Sequence, residues 1–78
     1  MTLDITSAHA TVFHGEVDSV TLPGEKGRFT VLRNHASLLS SLSKGVIRFQ
    51  KLDGTEETVD VNGGVADIDN NIISVCVY

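Results

Sequence analysis

The feature that most constrains the fold is a two-residue alternation of apolar and polar side chains that recurs along the chain. The alternating residues are Leu3 and Ile5, Ile47 and Phe49, Val59 and Val61, and the closing series Ile73, Val75 and Val77. Successive side chains of a β-strand point to opposite faces, so short alternating runs rich in Val, Ile and Thr are typical of half-buried strands. The sequence therefore predicts an all-β domain.

Turn-forming residues separate these runs. Asp53-Gly54 lies between two alternating segments and predicts a hairpin, because Gly accepts a positive φ without steric cost. Asn70-Asn71 predicts a similar turn, since Asn tolerates the left-handed region better than most residues. Pro23-Gly24 and Gly63-Gly64 mark further breaks. Several short strands with regularly spaced turns predict a sandwich or a barrel.

Three places depart from simple alternation. The apolar parity changes between Val17 and Val20, which predicts a β-bulge or a strand that passes from one sheet to another. A second change, from Val65 to Ile68, is expected to have the same cause. Asn34 is placed to cap a short helical turn that ends at Leu38, and no other segment favours a helix.

Length and composition exclude several classes of protein. A chain of 78 residues predicts one domain, residues 1–78, and the single Cys76 permits no internal disulfide and fits a reducing compartment. A net charge of -4 and a total of three Phe, one Tyr and no Trp argue against nucleic-acid binding. No apolar run approaches the roughly 18 residues of a membrane span, and the amino end lacks the pattern of a secretory signal. We expect a soluble intracellular protein that meets a membrane only through partners.

The residues also give little support to catalysis or metal binding. His9 and His14 are expected on opposite faces of a strand, and His35 and Cys76 lie on other segments, so no zinc-ligand spacing is present. No nucleophile elbow surrounds any serine, and Gly24–Gly27 lacks the spacing of a phosphate loop. The sequence predicts no catalytic residue, no metal site and no cofactor.

Basic residues are concentrated in one short stretch. Lys26, Arg28 and Arg33 are three of the six Lys and Arg residues, and His35 follows directly. Such a cluster is either an ordinary solvated face or a polar docking loop, whose charges would steer assembly more than supply affinity.

Five segments of the sequence resemble those of a known protein family, in the same order and with the same spacing. The resemblance extends from about Leu3 to Val77. The five segments are Gly15–Gly24, Gly27–Leu39, Gly45–Arg48, Val61–Val65 and Asp69–Asn71. Together they resemble the epsilon subunit of F-type ATP synthases, in its β-sandwich domain. The resemblance implies a flattened β-sandwich of about ten short strands with at most one short helical turn.

The resemblance also implies a function. In the family, this domain is a non-catalytic part of the central stalk in a proton-translocating ATP synthase. It attaches to the gamma subunit and rests on the membrane rotor ring, and it touches the catalytic head only indirectly. It turns with the rotor and helps couple proton flow to ATP synthesis. The expected location is peripheral, at the cytoplasmic face of a bacterial plasma membrane or the equivalent face of an organelle's energy-coupling membrane.

Two sets of contact residues follow from the resemblance. The ring-contact set consists of Lys26, Arg28, Arg33 and His35. The gamma-contact set consists of Ser7, Val12, Phe13, Leu39 and Ser40.

Four positions depart from the family pattern. Gly is usual at the position of Thr30, Pro is usual at Arg33 and Ser37, and an acidic residue that touches the ring is frequent at Arg28. Losing two prolines removes backbone restriction near His35. The two arginines make the proposed docking surface basic, so we expect matching acidity on the ring.

Family members usually continue into two carboxy-terminal helices that inhibit ATP hydrolysis and in some bacteria bind ATP. This sequence ends at Tyr78, so we expect neither helix-mediated inhibition nor a nucleotide site. The alternative interpretation is a free-standing β-sandwich interaction module, which would be indifferent to gamma. An enzyme is a third interpretation, and it would require a concave pocket with converging polar groups.

Overall fold

The computed structural model describes residues 1–78 and contains eight β-strands and no helix. The strands are β1 (Thr2–Thr6), β2 (Thr11–Gly24), β3 (Gly27–Leu32), β4 (Leu38–Leu42), β5 (Gly45–Lys51), β6 (Glu56–Val61), β7 (Gly64–Asp69) and β8 (Ile72–Val77). The all-β prediction is confirmed, although the strands number eight rather than about ten. One reason is that β2 continues for 14 residues where a sandwich of shorter strands would break. No segment forms a helix that could cross a membrane.

The long strand β2 organises the sheet. Its first half pairs with β1, and its second half pairs with β3 on one side and β5 on the other. The strand order β1-β8-β7-β4-β2-β5-β6, with the additional β1–β2 pairing, closes the sheet on itself. One layer contains β3, the second half of β2, β5 and β6, and the other contains the first half of β2, β1, β8, β7 and β4. Strand β3 bonds only to β2 and β6 only to β5, so each is an edge strand.

A bulge lets β2 serve both layers. Val17 pairs with Lys51, but Ser19 pairs with Gln50, so Asp18 is the extra residue. A bulge bends its strand and increases the local twist. It also restores an inward direction to Val20, which is fully buried together with Val17. The predicted parity change in this segment is confirmed.

The second predicted parity change, in β7, is wrong. This strand pairs regularly with both β4 and β8. Ala66 and Ile68 are buried, whereas Val65 is 41% exposed. The inward position before Ile68 is held by small Ala66, and the larger Val65 beside it made the apolar pattern misleading.

Two of the predicted hairpins form as expected. Asn70 and Asn71 have φ values of 50° and 61°, and they connect the paired residues Asp69 and Ile72. Two consecutive positive φ values are the signature of a type I′ turn, whose twist matches that of the flanking strands. Gly54, between β5 and β6, has a φ of 90°.

The strand break predicted at Pro23-Gly24 occurs two residues later in the structure. Gly24 still belongs to β2 and pairs with Gly27, so Glu25 and Lys26 form the turn itself. The interpretation of Gly24–Gly27 as a strand-connecting turn, and not a phosphate loop, is consistent with this geometry.

The helical turn predicted after Asn34 does not form. His35 N–H donates to the Leu32 carbonyl at 3.1 Å, which closes a β-turn in place of a helix. Asn34 is the third residue of that turn and has a φ of 64°. A positive φ at this position is typical of type II turns, where Gly or Asn is favoured. Asn34 therefore acts through its tolerance of the left-handed region and not as a cap.

The core is wholly apolar. It contains 15 buried hydrophobic residues, and all eight strands contribute to it. The fully buried members with the largest side chains are Phe49, Leu3, Ile5, Leu22, Ile47, Ile68 and Ile73. Burying a side chain of this kind contributes about 1.5–3 kcal/mol. No polar or charged residue is buried, so the interior supplies stability and rigidity but no chemistry.

Candidate functional site: two docking surfaces

The ring-contact set lies along an edge strand and does not form a single loop. Lys26 and Arg28 are at the start of β3, and Arg33 and His35 follow its end. The five residue steps from Gly27 to Leu32 separate the two pairs by roughly 17 Å, at about 3.4 Å per residue. The predicted docking loop is therefore corrected to the open edge of β3 with a turn at each end.

The charges of this edge are largely free. Lys26 and Arg28 form no ion pair in the structure. Arg33 approaches Asp18 to 4.0 Å, but both side chains are at least half exposed, so the pair contributes little. His35 donates from Nδ1 to the Ala36 carbonyl at 2.7 Å, which leaves its Nε2 available to a partner. The edge can therefore present positive charge at both ends, with Glu25 beside Lys26 in the β2–β3 turn.

Two of the departures from the family pattern have visible consequences here. Thr30 shares a 2.9 Å hydroxyl–hydroxyl hydrogen bond with Thr21 on the neighbouring strand. Ser37 donates from Oγ to Asp69 Oδ1 at 2.6 Å and so ties the loop after β3 to the end of β7. Hydrogen bonding thus restores part of the restriction that the missing prolines would have supplied.

The opposite edge of the same layer is acidic. Strand β6 carries Glu56, Glu57 and Asp60. Glu56 pairs with Arg48 at 3.5 Å, and Glu57 pairs with Lys51. The hydrogen bond that Lys51 donates to the Glu57 carboxylate is the main reason that the pKa of Lys51 is raised above 10.5. This layer therefore has a basic edge at β3 and an acidic edge at β6, where part of the charge is neutralised.

The gamma-contact set falls into two groups. Ser7, Val12 and Phe13 lie around the β1–β2 turn, which the Ser7 N–H closes by donating to the Ala10 carbonyl at 2.8 Å. Val12 is 43% exposed, whereas the Phe13 ring packs on Phe49 with centroids 4.4 Å apart. Val12 is therefore accessible to a partner, whereas Phe13 mainly stabilises the fold next to the β1–β2 turn.

The second group lies on β4. Leu39 is 70% exposed, and Ser40 is only partly exposed opposite buried Ala66. The order β4-β7-β8-β1-β2 puts four strand spacings, roughly 19 Å at about 4.8 Å each, between this group and Val12. The structure therefore brings the gamma-contact set onto one layer but not into one cluster.

A groove lies between members of the two predicted contact sets. It has a volume of about 520 Å³ and lies between the β2–β3 turn and β4. Lys26 and Arg28 line one side, and Leu39 and Ser40 line the other. The only strand pairing between β2 and β4 is Gly24 with Leu42, so the edges of β3 and β4 stay open beyond that point. The β2–β3 turn and β4 lie side by side only because of strand pairing between distant segments, and no local sequence pattern predicts this.

Sequence reasoning also missed a contact behind the Arg33–His35 turn. The Asn34 N–H donates to Asn71 Oδ1 at 2.6 Å, and Asn71 Nδ2 donates to Asn34 Oδ1 at 3.0 Å. The sequence predicts Asn71 as a turn residue and Asn34 as a helix cap, but a contact over 37 positions leaves no local signal. Elsewhere, the three histidines lie apart, and no group of three His, Cys, Asp or Glu side chains could hold a metal ion.

Comparison with known proteins identifies the family. The family described as the ATP synthase delta/epsilon chain β-sandwich domain matches residues 1–78. The epsilon chain of Campylobacter jejuni subsp. doylei is 44% identical over 75 residues, covering 96% of this chain and 58% of that protein. The epsilon chain of Wolinella succinogenes is 48% identical over 67 residues, covering 86% of this chain and 51% of that protein. The chain thus spans about half the length of the curated relatives it matches.

Solved structures support the fold. A chain of the mitochondrial ATP synthase of Euglena gracilis, in a structure of its F1 part with the c-ring, superposes with a TM-score of 0.90 at 19% identity. The match covers 96% of this chain and 48% of that one. A chain of the central stalk and c-ring of the Tetrahymena thermophila enzyme superposes with a TM-score of 0.81 at 10% identity, over 97% of this chain and 61% of that one. The chain belongs to the family of β-sandwich domains of ATP synthase delta and epsilon chains.

Proposed function

We propose that this chain is a non-catalytic central-stalk subunit of a proton-translocating F-type ATP synthase, where it links the gamma subunit to the membrane rotor ring. The observation that carries the proposal is the match of the whole chain to the delta/epsilon β-sandwich family. Relatives that are 43–48% identical are ATP synthase epsilon chains. The subunit performs no bond-breaking step, and ATP chemistry belongs to the catalytic head.

The mechanical role suits a closed sandwich. A part that couples proton flow to ATP synthesis must transmit torque without yielding, and close-packed interiors are stiff. The sheet closes through β1–β2 pairing, and 15 apolar residues fill its interior. The complex would hold the subunit as a peripheral component at the cytoplasmic face of a bacterial plasma membrane or its organellar equivalent.

The ring contact is proposed at the edge of β3. Along this edge Lys26, Arg28 and Arg33 are exposed and His35 is partly exposed, and Lys26 and Arg28 have no ion-pair partner within the chain. An acidic or polar rim on the ring would complement this edge. Charges of this kind steer association and fix orientation more than they add affinity.

The gamma contact is proposed on the layer that carries Val12 and Leu39. Both side chains are exposed and apolar, and they are separated by about 19 Å across the strands. A standard interface buries about 800 Å² on each partner and is wide enough to cover both. Arg28 and Leu39 line the same groove, which supports the proposal that one subunit meets gamma and the ring together.

Charge reversal on the β3 edge tests the proposal. We expect Arg28→Glu with Arg33→Glu to lower proton-driven ATP synthesis several-fold in reconstituted enzyme, because each exposed pair is worth about 0.2–1 kcal/mol and reversal turns attraction into repulsion. ATP hydrolysis by the detached catalytic head should not change. Lys44→Glu is the matched control for Arg28→Glu, because Lys44 is an exposed cation in the β4–β5 turn and does not belong to the ring-contact set. Unchanged synthesis in the double variant would contradict the ring contact.

A further inference from the structure

Two asparagines from different turns hold each other. Asn34 lies in the turn after β3, and Asn71 lies in the β7–β8 hairpin. The Asn34 N–H donates to Asn71 Oδ1 at 2.6 Å, and Asn71 Nδ2 donates to Asn34 Oδ1 at 3.0 Å. We call this pair of hydrogen bonds the asparagine clamp. It joins the two layers of the sandwich, because β3 belongs to one layer and β7 and β8 to the other.

The backbone conformation of each residue makes the clamp possible. Asn34 and Asn71 have φ values of 64° and 61°, which Asn adopts more readily than other residues with a side chain. Glycine would accept the same conformation but has no amide to offer. A side-chain amide can donate and accept at once. The Asn71 amide therefore accepts from the backbone of Asn34 and donates to its side chain. Neither group is buried, so the bonds act on geometry more than on overall stability.

The clamp fixes the turn that carries two of the predicted ring contacts. Arg33 and His35 flank Asn34, and the turn is closed by the bond from His35 N–H to the Leu32 carbonyl. Between the end of β3 and the start of β4, no residue is part of a strand. Apart from the Ser37–Asp69 bond, the clamp is the only side-chain tie from this segment to β7 and β8.

We propose that Asn71 is a positioning residue: through Asn34 it holds Arg33 and His35 in the direction required for contact with the rotor ring. The inference rests on the proposed function, since it assigns Asn71 to the ring contact. Asn71 itself lies in another hairpin and does not belong to the ring-contact set. The clamp keeps the far end of the β3 edge ordered before the ring is met, so less conformational freedom is lost on binding.

The test compares two neighbouring glycine substitutions. Asn71→Gly keeps the type I′ turn but removes both clamp bonds, whereas Asn70→Gly changes the adjacent position, whose side chain makes no hydrogen bond in the structure. Amide exchange at Asn34, followed by NMR, should accelerate about tenfold in Asn71→Gly and stay near wild type in Asn70→Gly. Asn34→Gly removes only the second bond, and its remaining N–H should exchange at an intermediate rate.

Ring binding supplies the functional readout. Affinity for the solubilised rotor ring should fall about three- to tenfold in Asn71→Gly, while gamma affinity and the denaturation midpoint stay close to those of Asn70→Gly. Equal ring affinity in the two variants, with faster Asn34 exchange in Asn71→Gly, would overturn the positioning role and leave the ring contact standing. Equal exchange would overturn the clamp itself. A wild-type chain that fails to bind the ring would overturn the ring contact, and the positioning role with it.

Discussion

Gly64 is the backbone position where the sandwich tolerates a side chain least. Its φ is +156°, and a Cβ atom added there would lie 2.2 Å from the Cys76 carbonyl oxygen. It would also lie 3.1 Å from the Cys76 carbonyl carbon and 3.1 Å from Val77 Cα. These are backbone atoms of β8, whose Val77 pairs with Gly64. Because no side-chain rotation can relieve the contact, Gly64→Ala must shift β8 away from β7.

The magnitude follows from two costs. Overpacking a tight site costs about 1–3 kcal/mol, and holding a non-glycine residue in a sparsely populated conformation costs about another 1–3 kcal/mol. Together they lower the free energy of unfolding by about 2–6 kcal/mol. A domain of 78 residues has only about 4–12 kcal/mol in total, at roughly 0.05–0.15 kcal/mol per residue. Gly64→Ala should therefore remove much of the stability of the fold.

Urea denaturation measures this loss, and Gly54→Ala is the control. Gly54 has a φ of +90°, but nothing lies within 4 Å of an added Cβ, so its substitution incurs the conformational cost alone. We expect a clearly lower midpoint for Gly64→Ala than for Gly54→Ala. Equal midpoints would refute the steric argument, and with it the close β7–β8 approach at Gly64.

Three further outcomes are expected. Hydrogen bonding to Glu57 raises the pKa of Lys51 above 10.5 in the folded chain, so its stabilising effect is complete below pH 10.5 and is lost as the pH rises through the raised value. Glu57→Gln should therefore flatten the alkaline loss of stability in pH-dependent denaturation, and an unchanged profile would contradict this assignment. Phe13→Ala removes the ring that packs on Phe49 and should cost about 2 kcal/mol of unfolding free energy, less than a fully buried Phe; no loss would mean that the ring contributes no packing. Leu39→Ser should change unfolding by less than about 0.5 kcal/mol because the side chain is 70% exposed, but it should weaken gamma binding in a titration with isolated gamma; unaltered binding would remove Leu39 from the contact.

The fold was largely predictable because its interior follows the period of a strand. Leu3, Ile5, Ile47 and Phe49 alternate with polar neighbours, and the structure buries them. Val59 and Val77 follow the same alternation and are partly buried against the core. The predicted parity change in β7 was wrong because the larger of two neighbouring apolar side chains faces solvent there and the smaller one faces the core. In β7 the inward residue is Ala66, and its larger neighbour Val65 faces solvent.

The contact residues remain a prediction, whereas the shape of the segment that carries the ring-contact set differs from the expectation. The segment containing Lys26 and His35 was interpreted as a loop, although Phe29 and Val31 already show the inward alternation of a strand. Asn34 illustrates a second kind of failure, because a cap and a left-handed turn residue have the same sequence signal. Contacts such as the asparagine clamp and the β3–β4 groove depend on closure of the whole sheet, which no local pattern specifies.

We propose that the chain works as a rotor subunit. Affinity capture of the tagged chain from gently solubilised source membranes, with the co-purifying proteins identified by mass spectrometry, tests it most directly. A rotor subunit should be recovered with gamma, ring and catalytic-head subunits in stoichiometric amounts, and Leu39→Ser should lose gamma first. Recovery of the chain without any of these subunits, from membranes shown to contain intact ATP synthase, would contradict it and favour a free-standing interaction module.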